Sequence, residues 1–279
     1  MYEVNTVEAP SFQENKNKEL YMFLLLMQEH LLFLSFDKQA GKFVRLNHYT
    51  FQEPIVNINP DKLKSEIEEL TTDSSKKILA INNSKCSLVP STFMKQDIAQ
   101  DVLKLNFNIS AGEDCKWDQI TKADSYLVYS RGKEYQKIAA LFQPDISIHA
   151  STALLNALLA KTYYADSNDM FIDISEKFFS VFLIKNKKFL LFNSYPFKKE
   201  EDILYHLLNI SEHFEFNTQK DNYHFSGLID RNSALYELLF KYIRYPFFLR
   251  KPENYKYDSI FEEQSMHPYF KLFSLASCV

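Results

Sequence analysis

Three short, strongly apolar segments follow one another near the amino end, at residues 20–27, 31–36 and 43–50, and three more do so later, at 169–174, 178–184 and 188–195. Each is shorter than an ordinary helix and dominated by Phe, Leu, Ile and Val, the pattern of a buried strand. After the first three come a helix opened by Asp61 with Leu63, Ile67 and Leu70 at helical spacing, a strand at 77–82, an extended stretch at 88–90 and a helix at 96–105. A short strand at 126–129, a helix at 134–141, a strand at 146–149 and a helix at 151–164 complete the first half. The second triplet is followed by a helix at 199–213, with Ile203, Leu207, Ile210 and Phe214 on one face. A strand at 223–228, a helix at 233–243 and a strand at 245–250 come next. Leu31 thus corresponds to Phe178, Phe43 to Phe189 and Ile78 to His224, and it is the order of elements that repeats, not the residues.

That order predicts topology. Strands adjacent in sequence pair as a meander, whereas strands separated by helices join a sheet in parallel. Each half is expected to be a mixed sheet flanked by helices, with the two halves facing one another across a cleft. The expected division is a flexible leader at 1–18, a first half at 19–150 and a second half at 151–279. The helix at 151–164 is apolar nearly all round and should be buried on most sides.

Composition limits what the cleft can do. The 279 residues include four glycines, at positions 41, 112, 132 and 227, where ordinary usage of ~7% would supply ~20. Chemistry that wraps backbone amides around a phosphate therefore starts from a shortage. A net charge of −4 creates no global field for nucleic acid or an anionic membrane. Residues 20–36 are apolar, but Gln28, Glu29 and His30 interrupt them, so two strands and a turn fit better than a membrane span. Three widely spaced cysteines argue against a disulfide framework and for a reducing compartment, which points to the cytoplasm.

Catalytic and metal motifs are missing from the sequence. His206 and His213 share a helix face but stand ~10.5 Å apart by helical rise, too far for one ion. Cys86 and Cys115 have no CxxC partner, and no G-x-S-x-G elbow occurs.

The duplicated order resembles the actin-like ATPase fold, a ribonuclease H-like architecture shared by actin, Hsp70-type chaperones and sugar kinases. More narrowly, residues 20–279 resemble an uncharacterised family from Bacteroidetes with that fold. The resemblance is carried by the apolar hairpin at 20–50, by Cys86-Ser87-Leu88-Val89-Pro90 with the helix beyond it, and by Phe171-Ile172-Asp173-Ile174-Ser175 leading into 178–195. In active relatives of the broad fold, the first hairpin of each half carries an Asp-x-Gly turn whose amides approach phosphates while the Asp acts through metal and water. The matching first turn, within 24–30, has neither Asp nor Gly. In the second half Asp173-Ile174-Ser175 stands in that place, with Ser for Gly. The adenosine loop would fall at Ser226-Gly227-Leu228-Ile229-Asp230, where relatives have paired glycines.

Asp173, Ser175, Ser226 and Gly227 are therefore the vestigial nucleotide-loop positions. The resemblance, read with these losses, implies a non-catalytic scaffold with no cofactor, acting on an unidentified protein partner or by self-association, without nucleic acid or membrane insertion. The alternative is a divergent ATPase or kinase-like protein that binds ATP with Mg through those four residues. A last feature bears on partners. Aromatic residues crowd the C-terminal stretch from Tyr245 to Phe273. Either this tail packs back onto the second half, or it presents an aromatic surface to a partner.

Overall fold

The computed structural model describes residues 2–13, 19–160, 167–262 and 265–278. In chain order the first elements are β1 (Tyr2–Glu8), α1 (Pro10–Gln13), β2 (Leu20–Leu26), β3 (His30–Asp37), β4 (Lys42–Phe51), α2 (Pro60–Glu66), β5 (Lys76–Ile81) and β6 (Cys86–Pro90). They are followed by α3 (Gln96–Asn106), β7 (Asp114–Ile120), β8 (Ser125–Arg131), α4 (Lys133–Phe142), β9 (Ile146–His149) and α5 (Ala150–Ala160). The remainder comprises β10 (Asp169–Ile174), β11 (Phe178–Lys185), β12 (Lys188–Pro196), α6 (Glu200–His213), β13 (Asn222–Gly227), α7 (Ala234–Phe240), β14 (Pro246–Phe248), β15 (Lys256–Tyr257) and α8 (Phe270–Ser274).

Both halves build the expected mixed sheet. The first has the order β1-β4-β3-β2-β5-β9, antiparallel from β4 to β2 and parallel through β5 and β9. The second runs β12-β11-β10-β13-β14, antiparallel from β12 to β10 and parallel through β13 and β14. Strands β2, β3, β10 and β11 are apolar nearly throughout because both faces are covered. In β2, Met22, Leu24 and Leu26 enter one core while Phe23 and Leu25 enter another. In β10, Met170, Ile172 and Ile174 pack towards α6 and α7, whereas Phe171 joins the core that contains Leu154, Leu155, Leu158 and Leu159 of α5. With Ala150 and Ala153 facing the other first-sheet core, α5 is enclosed on most sides, as its composition predicts. Residues 161–164 of that expected helix lie outside the described residues.

Four expectations are corrected. The leader is not loose over its described part. Tyr2–Glu8 pairs with β4 along its whole length, and Val7 and Ala9 are buried. This edge strand escapes sequence reading because most of its side chains face solvent and show no alternation. The helix at 60 is opened by Asn59, whose side chain accepts from the Asp61 amide at 2.7 Å, with Pro60 in its first turn. A small sheet, β6-β8-β7, packs α3 through Val89, Ala99, Leu103 and Val128. Its strand β7 is polar and was not anticipated. The aromatic tail, finally, is shared between the halves: Pro246–Phe248 joins the second sheet as β14, and the stretch from Tyr255 onward covers the first. Tyr255, Tyr257 and Phe273 ring Phe43 of β4, and Phe261, Tyr269, Phe270, Leu272 and Leu275 are buried. Only its beginning stays open, with Tyr245 39% and Phe247 45% exposed.

Glycine scarcity is met by other residues. The β11–β12 hairpin turns through Asn186 and Lys187, both at positive φ, and Asp124, Gln143 and Glu215 also adopt left-handed backbone.

Candidate functional site

The two hairpin turns meet between the halves. In the first, Met27 donates its amide to the His30 carbonyl at 3.0 Å, closing the turn between β2 and β3. In the second, Ser175 does the same to Phe178 at 2.9 Å. The turns bind each other. The Glu29 amide donates to Glu176 Oε1 at 3.1 Å, so an amide of the first turn is engaged by a carboxylate of the second.

Behind them lies a buried polar cluster drawn from four elements. Parallel pairing sets Asp173 of β10 opposite Ser226 of β13, and the Ser226 hydroxyl donates to Asp173 Oδ1 at 2.8 Å. The ammonium of Lys271, on α8, forms an ion pair with Asp173 Oδ2. It also donates to Asn82 Oδ1 at 2.7 Å and reaches Ser175 Oγ at 3.5 Å, while Asn82 Nδ2 donates to Ser175 Oγ at 2.9 Å. Asp173 is 2% and Lys271 4% exposed. Charges this deep are tolerated only when paired and hydrogen-bonded, and each charge here has both kinds of partner. The space left beside Asp173, Gly227 and Lys271 is about 20 Å³, room for little more than a water molecule.

Gly227 has a reason of its own. Its φ is +82°, and a Cβ there would fall onto the Ile174 carbonyl of the neighbouring strand. The Leu228 amide then donates to that carbonyl at 2.9 Å. Close approach of two backbones at the end of a parallel pair explains this glycine.

The structure thus brings Asp173, Ser175, Ser226 and Gly227 to one place. Sequence reading missed Lys271, Asn82 and Glu176. A signal for the first was present: a lone lysine within Tyr269-Phe270-Lys271-Leu272-Phe273 is anomalous in a segment otherwise fit for a core.

Two histidine sites flank the cluster. His48 lies against His30, with Nε2 to Nδ1 at 2.9 Å, and shares a hydrogen bond with the Tyr269 hydroxyl at 3.3 Å. Burial, helped by the neighbouring His30, pulls its pKa down to about 4. His149 is fully buried between the Asn83 carbonyl and the Ser151 amide. Burial, and then the charge of Lys271, lowers its pKa to about 3. Below its ordinary value near 6.5 the unfolded chain takes up a proton that the folded His149 refuses. Stability is therefore expected to fall as pH drops from 6.5 towards 4, by about 1.4 kcal/mol per pH unit for this residue. Chemical denaturation of His149→Gln across that range should show a correspondingly shallower pH slope than the wild type. Burial pushes the Cys86 thiol up to about 12, which makes it a poor nucleophile. Among the described residues no group of three His, Cys, Asp or Glu could hold a metal ion.

Two mixed sheets of this order, with paired hairpin turns facing across a cleft, define the actin-like ATPase fold. A crystal structure from Bacteroides thetaiotaomicron VPI-5482, of a protein with actin-like ATPase fold and unknown function, is similar with a TM-score of 0.76 at 17% identity, over 95% of this chain and 98% of that one. The PilM–PilN type IV pilus biogenesis complex is similar with a TM-score of 0.63 at 11% identity, over 93% of this chain and 98% of that one. The chain belongs to the DUF3822 family of proteins of unknown function, which matches residues 9–245. No curated protein matches the sequence significantly.

Proposed function

We propose that this chain is a nucleotide-free member of the actin-like fold that works as a scaffold by binding another protein or a second copy of itself. The observation that carries this reading is Lys271, an internal cation paired with the aspartate that in active relatives acts through metal. Glu176 supports it from the opposite charge, since it engages a first-turn amide of the kind that would face a phosphate. The residues present do not fit Mg·ATP. Asp173 already has a cation, and the space left beside it and Gly227 is about 20 Å³, room for little more than a water molecule. The four vestigial positions act as structure: Asp173, Ser175 and Ser226 in the buried cluster, Gly227 at the strand crossing. The similar PilM was captured with a protein partner, PilN, which favours partner binding here too. Three free cysteines suit a reducing cytoplasm, and among the described residues no helix is long and apolar enough to cross a membrane.

Thermal unfolding with and without Mg·ATP tests this. A ligand at one hundred times its Kd adds about 2.7 kcal/mol, several degrees of Tm for a chain of this size. The expected result is an unchanged Tm at millimolar Mg·ATP. A rise of several degrees would favour the ATP-binding alternative through Asp173, Ser175, Ser226 and Gly227.

A further inference from the structure

On the other side of the two turns a cleft of about 450 Å³ opens between the halves. Its size is that of a ligand pocket, and its lining is mixed: Val56, Phe178 and Pro196 supply apolar surface, and Gln28, Asn83 and Ser84 supply neutral polar groups. The wall at Val56 is held in place by Lys137, whose ammonium donates to the carbonyls of Val56 at 2.7 Å and Ile58 at 2.5 Å.

The cleft also has a sign. Three charged side chains line it, Glu134, Glu176 and Lys177. Lys177 is 62% exposed and is paired with Glu29 at 3.9 Å. Glu176 is nine-tenths buried and tied to the first turn. Glu134, at the start of α4, is half-buried and its carboxylate lies back over Gly132, where a Cβ would collide with it. Among the described residues that carboxylate has neither a hydrogen bond nor an ion partner. A half-buried carboxylate without a partner, beside a partly apolar cavity, is complementary to a cation carried on an apolar stem.

We propose that this cleft receives an extended basic segment of a partner protein, with apolar side chains against Val56 and Phe178 and an arginine or lysine meeting Glu134 and Glu176. The proposal rests on the partner-binding reading above and names the chemistry of the partner.

The test uses two fluorescent nine-residue peptides, both rich in Leu, Ile and Val, one carrying two arginines and the other two glutamates in their place. Polarisation titrations are run against the wild type, Glu134→Lys, Val56→Asp and, as a remote control, Lys187→Glu. The wild type and Lys187→Glu should bind the arginine peptide at least ten-fold more tightly than the glutamate peptide. Glu134→Lys should abolish that preference, and Val56→Asp should weaken binding of either peptide. Glu134 has no structural partner, so Glu134→Lys should unfold near the wild-type Tm. Equal binding of both peptides, no binding at millimolar protein, or a preference unaltered by Glu134→Lys would overturn the cleft assignment. The two levels separate cleanly. Failure here with Tm unmoved by Mg·ATP removes the basic segment and leaves the scaffold, whereas a Tm raised by Mg·ATP removes the scaffold itself.

Discussion

Lys271→Met should cost about 3–5 kcal/mol, since it strands the buried carboxylate of Asp173 without its cation. Asp173→Asn, which leaves the ammonium unpaired among Asn82 and Ser175, should cost a similar amount. The double variant is the informative one. With both charges gone the remaining groups are neutral and largely hydrogen-bonded, so the sum of the single losses should exceed the double loss by about 1–3 kcal/mol. Urea unfolding of the four proteins measures this coupling. Strict additivity would mean that Lys271 and Asp173 do not form a pair in solution. The experiment bears on the proposed function as well as on stability, because that reading rests on this pair. Lysine supplies the positive charge from within the chain, and α8 is thereby fastened to β5 and β10.

Gly227→Ala is the second large effect expected, roughly 3–5 kcal/mol. The new methyl group would need left-handed backbone at φ +82° and would also strike the Ile174 carbonyl, which belongs to a paired strand and cannot move aside. Gly112→Ala is the natural comparison. Its φ is +91°, but nothing lies within 4 Å of the added carbon, so only the conformational cost of ~1–2 kcal/mol applies. Thermal unfolding of both variants without any nucleotide separates the two roles available to Gly227. A glycine kept for ligand approach would cost the unliganded protein no more than Gly112→Ala does, whereas a glycine kept for strand packing costs clearly more in every condition.

Much of the molecule was legible in advance, and particular residues show why. Strands β2, β3, β10 and β11 announce themselves because burial on both faces leaves an uninterrupted apolar run. The repeated order then determines which neighbours are antiparallel and which parallel. Asp173 and Ser226 were grouped by the resemblance alone, and the parallel pairing of β10 with β13 that sets them side by side is seen in the fold. Strand β1 could not be foreseen, because its side chains are mostly solvated and it is held by backbone pairing to β4, which carries no side-chain signature. Strand β7 failed for the same reason: Asp114, Lys116 and Gln119 read as loop. The aromatic tail could be read either as packing onto the second half or as a surface for a partner, and only the fold shows that 246–248 joins the second sheet while the residues from Tyr255 onward pack on the first.

The sequence alone determined the duplicated mixed-sheet architecture, because strand and helix periodicities are local and the rules that join them are few. It also determined that the first hairpin turn has no glycine and that the second carries serine where the resembled ATPases have glycine. Tertiary structure alone decided which cation Asp173 meets. Lys271 lies 98 positions from Asp173 in the chain, and no local pattern reports which distant charge a buried carboxylate will meet. That choice is made by the long-range packing of α8 between the halves, where an unpaired Asp173 would be far more costly than the loss of side-chain freedom on burying a lysine.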